Sequence, residues 1–165
     1  MLDVMIAFHE YRHLLDYLMF LETVFKQDTE ELKHSPLYIT FNVYSEYNAT
    51  AFGVKQYIEI VKFDDLDKHD IANMILNKAK ETYWNLQGIN NRYQLLVHSM
   101  QYLGNIVACI PYIKDIDLKK NINDMELSKE LIPVINHILA FQDTTIWYTD
   151  LNFIMRNFVD GGVVI

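Results

Sequence analysis

Apolar residues recur every three or four positions along the start of the chain, which is typical of an amphipathic helix. The members of this stripe are Val4, Phe8, Tyr11, Leu15, Leu18, Leu21 and Phe25. The pattern predicts one long helix over residues 2–33, which Pro36 ends because proline cannot continue a helix. If the stripe faces the core, His9, His13 and Asp16 share the opposite face, which we expect to be solvated.

The period then changes from helical spacing to alternation. Leu37, Ile39, Phe41 and Val43 alternate with Tyr38, Thr40, Asn42 and Tyr44. Such alternation predicts a strand. Residues 51–63 fit either a helix or a second strand, and their β-branched and aromatic residues favour the strand. We therefore expect a small β-hairpin near 37–63 that exposes Tyr38, Tyr44 and Tyr47.

Helical spacing returns in the second half of the chain. Asp67 is a suitable N-cap for a helix that runs to about Leu86. Residues 92–110 are the most apolar helix and are predicted to be central, and further helices are expected over 128–141 and 143–158. The length favours a single domain over 1–165. The predicted fold is mainly α, a bundle of five or six helices around 92–110, or α+β if the hairpin is real.

Composition narrows the classes of partner. The 165 residues carry 22 acidic and 14 basic side chains, for a net charge of −8. Such a surface repels phosphate backbones, which argues against broad nucleic-acid binding, and it attracts basic proteins. No apolar stretch is long and uncharged enough to predict a membrane span. No secretory signal is predicted, and the single Cys109 in an apolar run suits a reducing compartment, so we expect a cytoplasmic protein.

One motif has a spacing that carries chemistry. His9-Glu10-Tyr11-Arg12-His13 matches the H-E-x-x-H pattern and resembles the zincin peptidase signature at His9, Glu10 and His13. The resemblance implies that both histidines bind zinc and that Glu10 is the general base. A zinc site also needs a third ligand, which this straight helix does not offer, and Arg12 places a cation beside it. A solvated polar helix face is therefore the preferred interpretation.

A second pair of residues suggests a different chemistry. Arg92 and His98, separated by five residues at a predicted helix start, resemble the R-x(4–6)-H element of HEPN-type helical ribonucleases. In such a family the arginine polarises a phosphate and the histidine transfers a proton. The resemblance implies those roles for Arg92 and His98, although Tyr93 stands where the family often has Asn. The alternative is a half-buried histidine on a core helix.

A third resemblance concerns the predicted central helix. Leu103-Gly104-Asn105-Ile106-Val107-Ala108 resembles the central-helix motif of apoptosis-regulator helical bundles, and Gly161-Gly162 resembles their C-terminal motif. The resemblance implies a groove that takes an amphipathic helix. The Trp and Arg that flank the family's glycine are replaced by Leu103 and Asn105. Small residues in a core helix also serve simply to let helices pack closely.

These observations together favour binding over catalysis. We expect a non-catalytic, acidic interaction module of the inhibitor or immunity type, without a cofactor, whose partner is a basic protein. The expected contacts are Tyr38, Tyr44, Tyr47, Asp64 and Asp65, because tyrosine is favoured at interfaces. The alternative from another class is a zinc-dependent hydrolase that uses residues 9–13. Sequence leaves the oligomeric state open.

Overall fold

The computed structural model describes residues 2–26, 28–61, 66–86, 91–114 and 116–125, with positions 132, 133, 136 and 156. This part of the chain forms six helices: α1 (Leu2–Val24), α2 (Thr29–His34), α3 (Pro36–Ile60), α4 (Lys68–Asn85), α5 (Arg92–Cys109) and α6 (Leu118–Asn123). The mainly helical class is confirmed. None of the six helices is both long and apolar enough to cross a membrane. Apart from those four positions, the helices predicted over 128–141 and 143–158 lie outside the described residues.

Helix α3 occupies the segment where a β-hairpin was predicted, so that prediction is wrong. The Ser35 side chain caps the helix by accepting a hydrogen bond from the Leu37 amide, and Pro36 occupies its first turn. Proline is favoured at this position because its missing N–H would be unpaired there in any case. Leu37, Phe41 and Tyr44 are all buried at spacings of three and four. Residues 37–44 therefore carry two patterns at once. One is the alternation that predicted a strand, and the other is a helical stripe of apolar residues, which is the pattern that the structure buries.

The long helix predicted over residues 2–33 is divided in two. Helix α1 ends at Val24, and Lys26 adopts a left-handed backbone with φ of 47°. The carboxylate of Asp28 then accepts hydrogen bonds from the amides of Glu30 and Glu31, each at 3.0 Å, at the start of α2. Asp28 is the capping signal that marks this second helix start.

Helix α1 also turns a different face to the core than its apolar stripe predicts. Val4, Tyr11 and Leu18 are 41%, 53% and 51% exposed, whereas Asp16 is only 6% exposed. The prediction that the His9, His13 and Asp16 face points to solvent is therefore wrong. The physical reason is that α1 packs mainly on α3, which offers polar partners to this face.

Helix α5 is central, as predicted. Leu96, Leu103 and Ile106 are fully buried, and the helix packs on both α3 and α4. Cys109 is buried at its end, and burial raises the pKa of this thiol to about 12. Cys109 is therefore a small residue of the buried core.

Gly104 lets α5 approach α3 closely. A Cβ atom at this position would lie 2.7 Å from the backbone oxygen of Tyr47 and 3.0 Å from the Cβ of Thr50. Any larger residue would therefore push the two helices apart. Close packing accounts for the glycine in the segment that resembles apoptosis regulators, while Gly161-Gly162 lies outside the described residues. This close contact with α5 fixes the position of α3. It therefore also fixes the positions of the α3 residues that face α1.

Candidate metal centre

Three metal-ligating side chains converge between α1 and α3. His9 and His13 lie one turn apart on α1, with 2.9 Å between their Nε2 atoms. Glu46 on α3 places Oε2 at 3.7 Å from His9 Nε2 and Oε1 at 3.7 Å from His13 Nε2. One donor atom from each of the three residues therefore lies within 4.8 Å of the other two.

These separations fit a zinc ion. Zinc binds imidazole nitrogen and carboxylate oxygen at about 2.0–2.2 Å in tetrahedral geometry, which places neighbouring donor atoms about 3.3 Å apart. The observed separations of 2.9 and 3.7 Å lie on either side of that value. The side chains of His9, His13 and Glu46 are 22%, 25% and 26% exposed, so solvent reaches the site. Three protein ligands would leave the fourth position for water or substrate.

The short contact between the two imidazoles is informative in itself. Two nitrogens 2.9 Å apart must share one proton, because two lone pairs would repel each other. Burial lowers the pKa of His9, and the charge of His13 adds to this, while Glu46 and Glu10 act in the opposite direction. The neutral imidazole is the form that binds metals, so a divalent ion could replace the shared proton.

A hydrogen-bonded chain orients His13. Its Nδ1 lies 2.8 Å from Ser45 Oγ, and Ser45 Oγ donates at 3.4 Å to Asp16 Oδ2. With Asp16 as the acceptor at the end of this chain, Nδ1 of His13 carries a proton and its Nε2 is left free for a ligand. Metal-binding histidines are commonly held in this way by a partner on the other ring nitrogen.

Asp16 is the buried anchor of this chain. It accepts hydrogen bonds from Asn48 Nδ2 at 3.0 and 2.9 Å and pairs with Arg12 Nη2 at 2.7 Å. Burial raises the pKa of Asp16, while Arg12 and Asn48 act in the opposite direction. The Arg12 guanidinium also lies 5.9 Å from the centre of the Phe52 ring. The cation that stands beside the histidines in the sequence is therefore paired with Asp16.

Helix α5 holds the third donor in place. Gln101 Nε2 donates to Glu46 Oε2 at 2.8 Å, and the Gln101 side-chain oxygen lies 3.2 Å from His98 Nδ1. His98 is half-buried, as expected for a histidine on a core helix. Arg92 begins the same helix, but six residues correspond to about 240° around a helix axis, so the two do not share a face. The ribonuclease hypothesis built on Arg92 and His98 stays a prediction.

The residues predicted to bind a partner do not form an exposed patch on the described part of the chain. Tyr44 and Tyr47 are buried against α5, because the hairpin expected to expose them is a helix, so their expected exposure is wrong. Tyr38 is partly buried and stacks on Phe41. Asp64 and Asp65 lie outside the described residues. The structure therefore brings none of these five residues together on a described surface.

Of the three candidate donors, the sequence motif named His9 and His13, in the alternative hypothesis of a zinc hydrolase, and it gave no sign of Glu46. Glu46 escaped notice because it lies far from the motif along the chain and within a segment predicted to be a strand. Had α3 been recognised as a helix, Ser45, Glu46 and Asn48 would have stood out as polar residues in a largely apolar element. Glu10, the predicted general base, is exposed beside His9.

No protein-family model matches this sequence, and searches of curated proteins and of solved structures give no significant match. Any function must therefore be argued from the side chains of this chain.

Proposed function

We propose that this chain is a zinc-dependent hydrolase whose metal is held by His9, His13 and Glu46. The observation that carries the proposal is the convergence of these three donor atoms from two helices. Two histidines and one glutamate are a donor set of catalytic zinc sites, which keep a fourth position for water. Zinc lowers the pKa of such a water to about 7, so it becomes a nucleophile near neutral pH.

The residues around the donors support this proposal. Ser45, Asp16, Asn48 and Arg12 form a polar network at a helix contact, where apolar side chains of similar size would often be at least as stabilising. A network of this kind fixes the orientation of metal ligands, as Gln101 does for Glu46. We assign Glu10 the role of general base, because it follows the first ligand directly on α1.

The acidic interaction module that composition favours stays a prediction. Its support is the net charge of −8. Of its expected contact residues, Tyr44 and Tyr47 are buried. The metal hypothesis has a defined geometry on the described residues, and we therefore prefer it.

Metal binding is tested by titrating zinc into protein that has been stripped with a chelator. We expect one zinc per chain, and a gain in unfolding free energy of about 2.7 kcal/mol at a free zinc concentration of 100 times Kd. His13→Ala and Glu46→Ala should each lose this gain while remaining folded by circular dichroism. His69→Ala is the matched control, because His69 belongs to the other group of metal-ligating side chains among the described residues, which it forms with Asp67 and Asp70 at the exposed start of α4. Binding that is lost in the control and kept in the other two variants would contradict the proposal.

Catalysis is tested separately with p-nitrophenyl esters. Zinc-loaded protein should hydrolyse them, and Glu10→Gln should lower kcat by about 10²-fold or more, as expected for loss of a general base. The same variant should still bind one zinc. If zinc binds but wild-type protein shows no metal-dependent hydrolysis of esters or peptides, the metal is structural and the hydrolase proposal is wrong.

A further inference from the structure

A cavity of about 510 Å³ lies between α4 and α5, one layer of side chains away from the metal donors. Met5 of α1 and Tyr57 of α3 contribute to its lining. Its volume falls within the range of about 300–1,000 Å³ that is typical of small-molecule sites. Met5 precedes His9 by about one helical turn, so the cavity and the metal centre share α1.

The two long walls of the cavity differ in chemistry. The α4 wall combines the apolar side chains of Met74, Ile75 and Ala79 with Lys78, Thr82 and Tyr83. On the α5 wall every lining side chain carries a hydrogen-bonding group, namely His98, Gln101, Tyr102 and Asn105. A ligand that suits both walls has an apolar body and a polar group on one side.

Gln101 connects the cavity to the metal centre. Its side chain lines the cavity and also donates to Glu46 Oε2 at 2.8 Å. The polar wall is therefore one side chain away from a proposed metal ligand. A molecule seated in the cavity with its polar group towards α5 would place that group beside Gln101, the side chain that contacts Glu46.

Tyr57 supplies an independent sign of a missing partner. The residue lines the cavity and is only 4% exposed. Its hydroxyl is buried and has no hydrogen-bond partner within the part of the chain that the structure describes. Buried hydroxyls are almost always paired, so an unpaired one indicates a water or a ligand group nearby.

We propose that this cavity binds the apolar part of the substrate, so that the zinc centre acts on carboxylic esters with a hydrophobic acyl or aryl group. This inference rests on the proposed hydrolase function. In the reaction, the oxygen of water forms a bond to the acyl carbon, and the bond from that carbon to the leaving oxygen breaks. Glu10 takes a proton from the water and passes it to the leaving oxygen, giving a carboxylic acid and an alcohol.

The cavity itself is tested with the neutral fluorescent probe N-phenyl-1-naphthylamine, added to the full chain in the presence of a chelator. We expect saturable binding at one site. Ala79→Phe places a ring in the cavity and should weaken binding at least tenfold, and Thr82→Phe provides a second variant if the first fails to fold. Lys80→Phe, on the same helix but outside the cavity lining, should stay within twofold of wild type. Absence of saturable binding, or equal binding by folded Ala79→Phe, would overturn the inference.

The substrate role is tested with zinc-loaded protein. kcat/KM should rise at least tenfold from p-nitrophenyl acetate to the octanoate, because the longer acyl chain has six more methylenes to bury in the cavity. The probe should inhibit octanoate hydrolysis competitively, with an inhibition constant equal to its Kd. Metal-dependent hydrolysis without competition would overturn the cavity inference and leave the hydrolase proposal standing. Probe binding without zinc binding would overturn the hydrolase proposal, and the substrate role with it.

Discussion

The contact between α1 and α3 has two ends that are filled in opposite ways. At the far end, Phe20 and Phe41 stack with ring centres 4.2 Å apart and planes 4° apart, and Phe25 and Leu37 complete an apolar cluster. At the near end the same two helices enclose His13, Ser45, Asp16 and their partners.

The difference shows that the packing of α1 on α3 depends on the apolar end of the contact more than on the polar end. An apolar cluster requires only matching shapes, whereas every polar group at a helix contact needs a partner to offset its lost hydration. The aromatic end alone could hold α1 against α3. A polar network of this kind adds little net stability, because the cost of burying its groups offsets what their hydrogen bonds contribute. We therefore explain its arrangement by the proposed metal site rather than by the needs of folding.

Phe41→Ala should have the largest effect on stability. Removing a buried phenylalanine side chain costs about 3–5 kcal/mol of unfolding free energy, because a cavity remains beside Phe20. Urea unfolding measures the loss, and Phe41→Leu should lose clearly less. Zinc binding by the folded variant should stay at one ion per chain. A loss of zinc binding in folded Phe41→Ala would show that the two ends are not independent.

Asp16→Ala should be next in size. It removes the partner of Arg12 and the acceptor for Asn48 and Ser45. Breaking a buried ion pair costs about 3–5 kcal/mol, but Arg12 is 23% exposed, so we expect about 2–3 kcal/mol. Zinc affinity should also fall by about 10–100-fold, because His13 loses its orienting chain. Asp70→Ala, at an exposed position in the first turn of α4, is the control: it should lose less than about 1 kcal/mol and leave zinc affinity unchanged. Unchanged zinc affinity in Asp16→Ala would remove its assigned orienting role.

Gly53→Ala tests how closely the two helices must approach at the polar end. The added Cβ would lie 2.9 Å from the backbone oxygen of Met5 and 3.3 Å from the amide nitrogen of His9. Overpacking costs about 1–3 kcal/mol, and the better helix propensity of alanine returns about 1 kcal/mol. We expect a net loss of about 1 kcal/mol in thermal or urea unfolding, together with weaker zinc binding. Gly53→Ser, which is larger, should lose more, and a stabilised Gly53→Ala would contradict the close approach.

The smallest effect is a pH dependence that comes from Asp16. Its pKa is raised above 3.8 in the folded state, so between 3.8 and that higher value the folded chain binds more protons than the unfolded chain. The part of the stability that comes from the stronger proton binding of folded Asp16 is therefore full below pH 3.8 and is lost as the pH rises through the folded-state pKa. Urea unfolding of wild type and Asp16→Asn across this window should show a fall in wild type that the variant lacks. Parallel curves for the two proteins would contradict the raised pKa.

Sequence patterns predicted α4 and α5, where the capping residue and the apolar stripe agree. Asp67 and Asn91 accept hydrogen bonds at the starts of α4 and α5, and the apolar stripe of α5 identified the central helix. Helix α3 was mistaken for a hairpin because its β-branched and aromatic residues also suit strands. There the cap formed by Ser35 and Pro36 was the better signal.

The site was predicted only as far as it lies on one helix. The motif gave His9 and His13, because their spacing is local. Glu46 depends on how α3 packs on α1, which no local pattern records. The buried face of α1 was predicted wrongly for the same reason, since averaging apolar residues along one helix ignores the polar groups of its neighbour.

Helix α1 has one main packing partner, and this determines how the protein would unfold locally. Among the described helices, α1 packs mainly on α3, so loss of this one contact would free it while α3, α4 and α5 stay packed on one another. An ion shared by His13 and Glu46 would tether α1 by closing the loop of chain between them, which restricts the opened ensemble. Zinc would then protect the amides of α1 from hydrogen exchange, and its removal would make α1 more open to proteases.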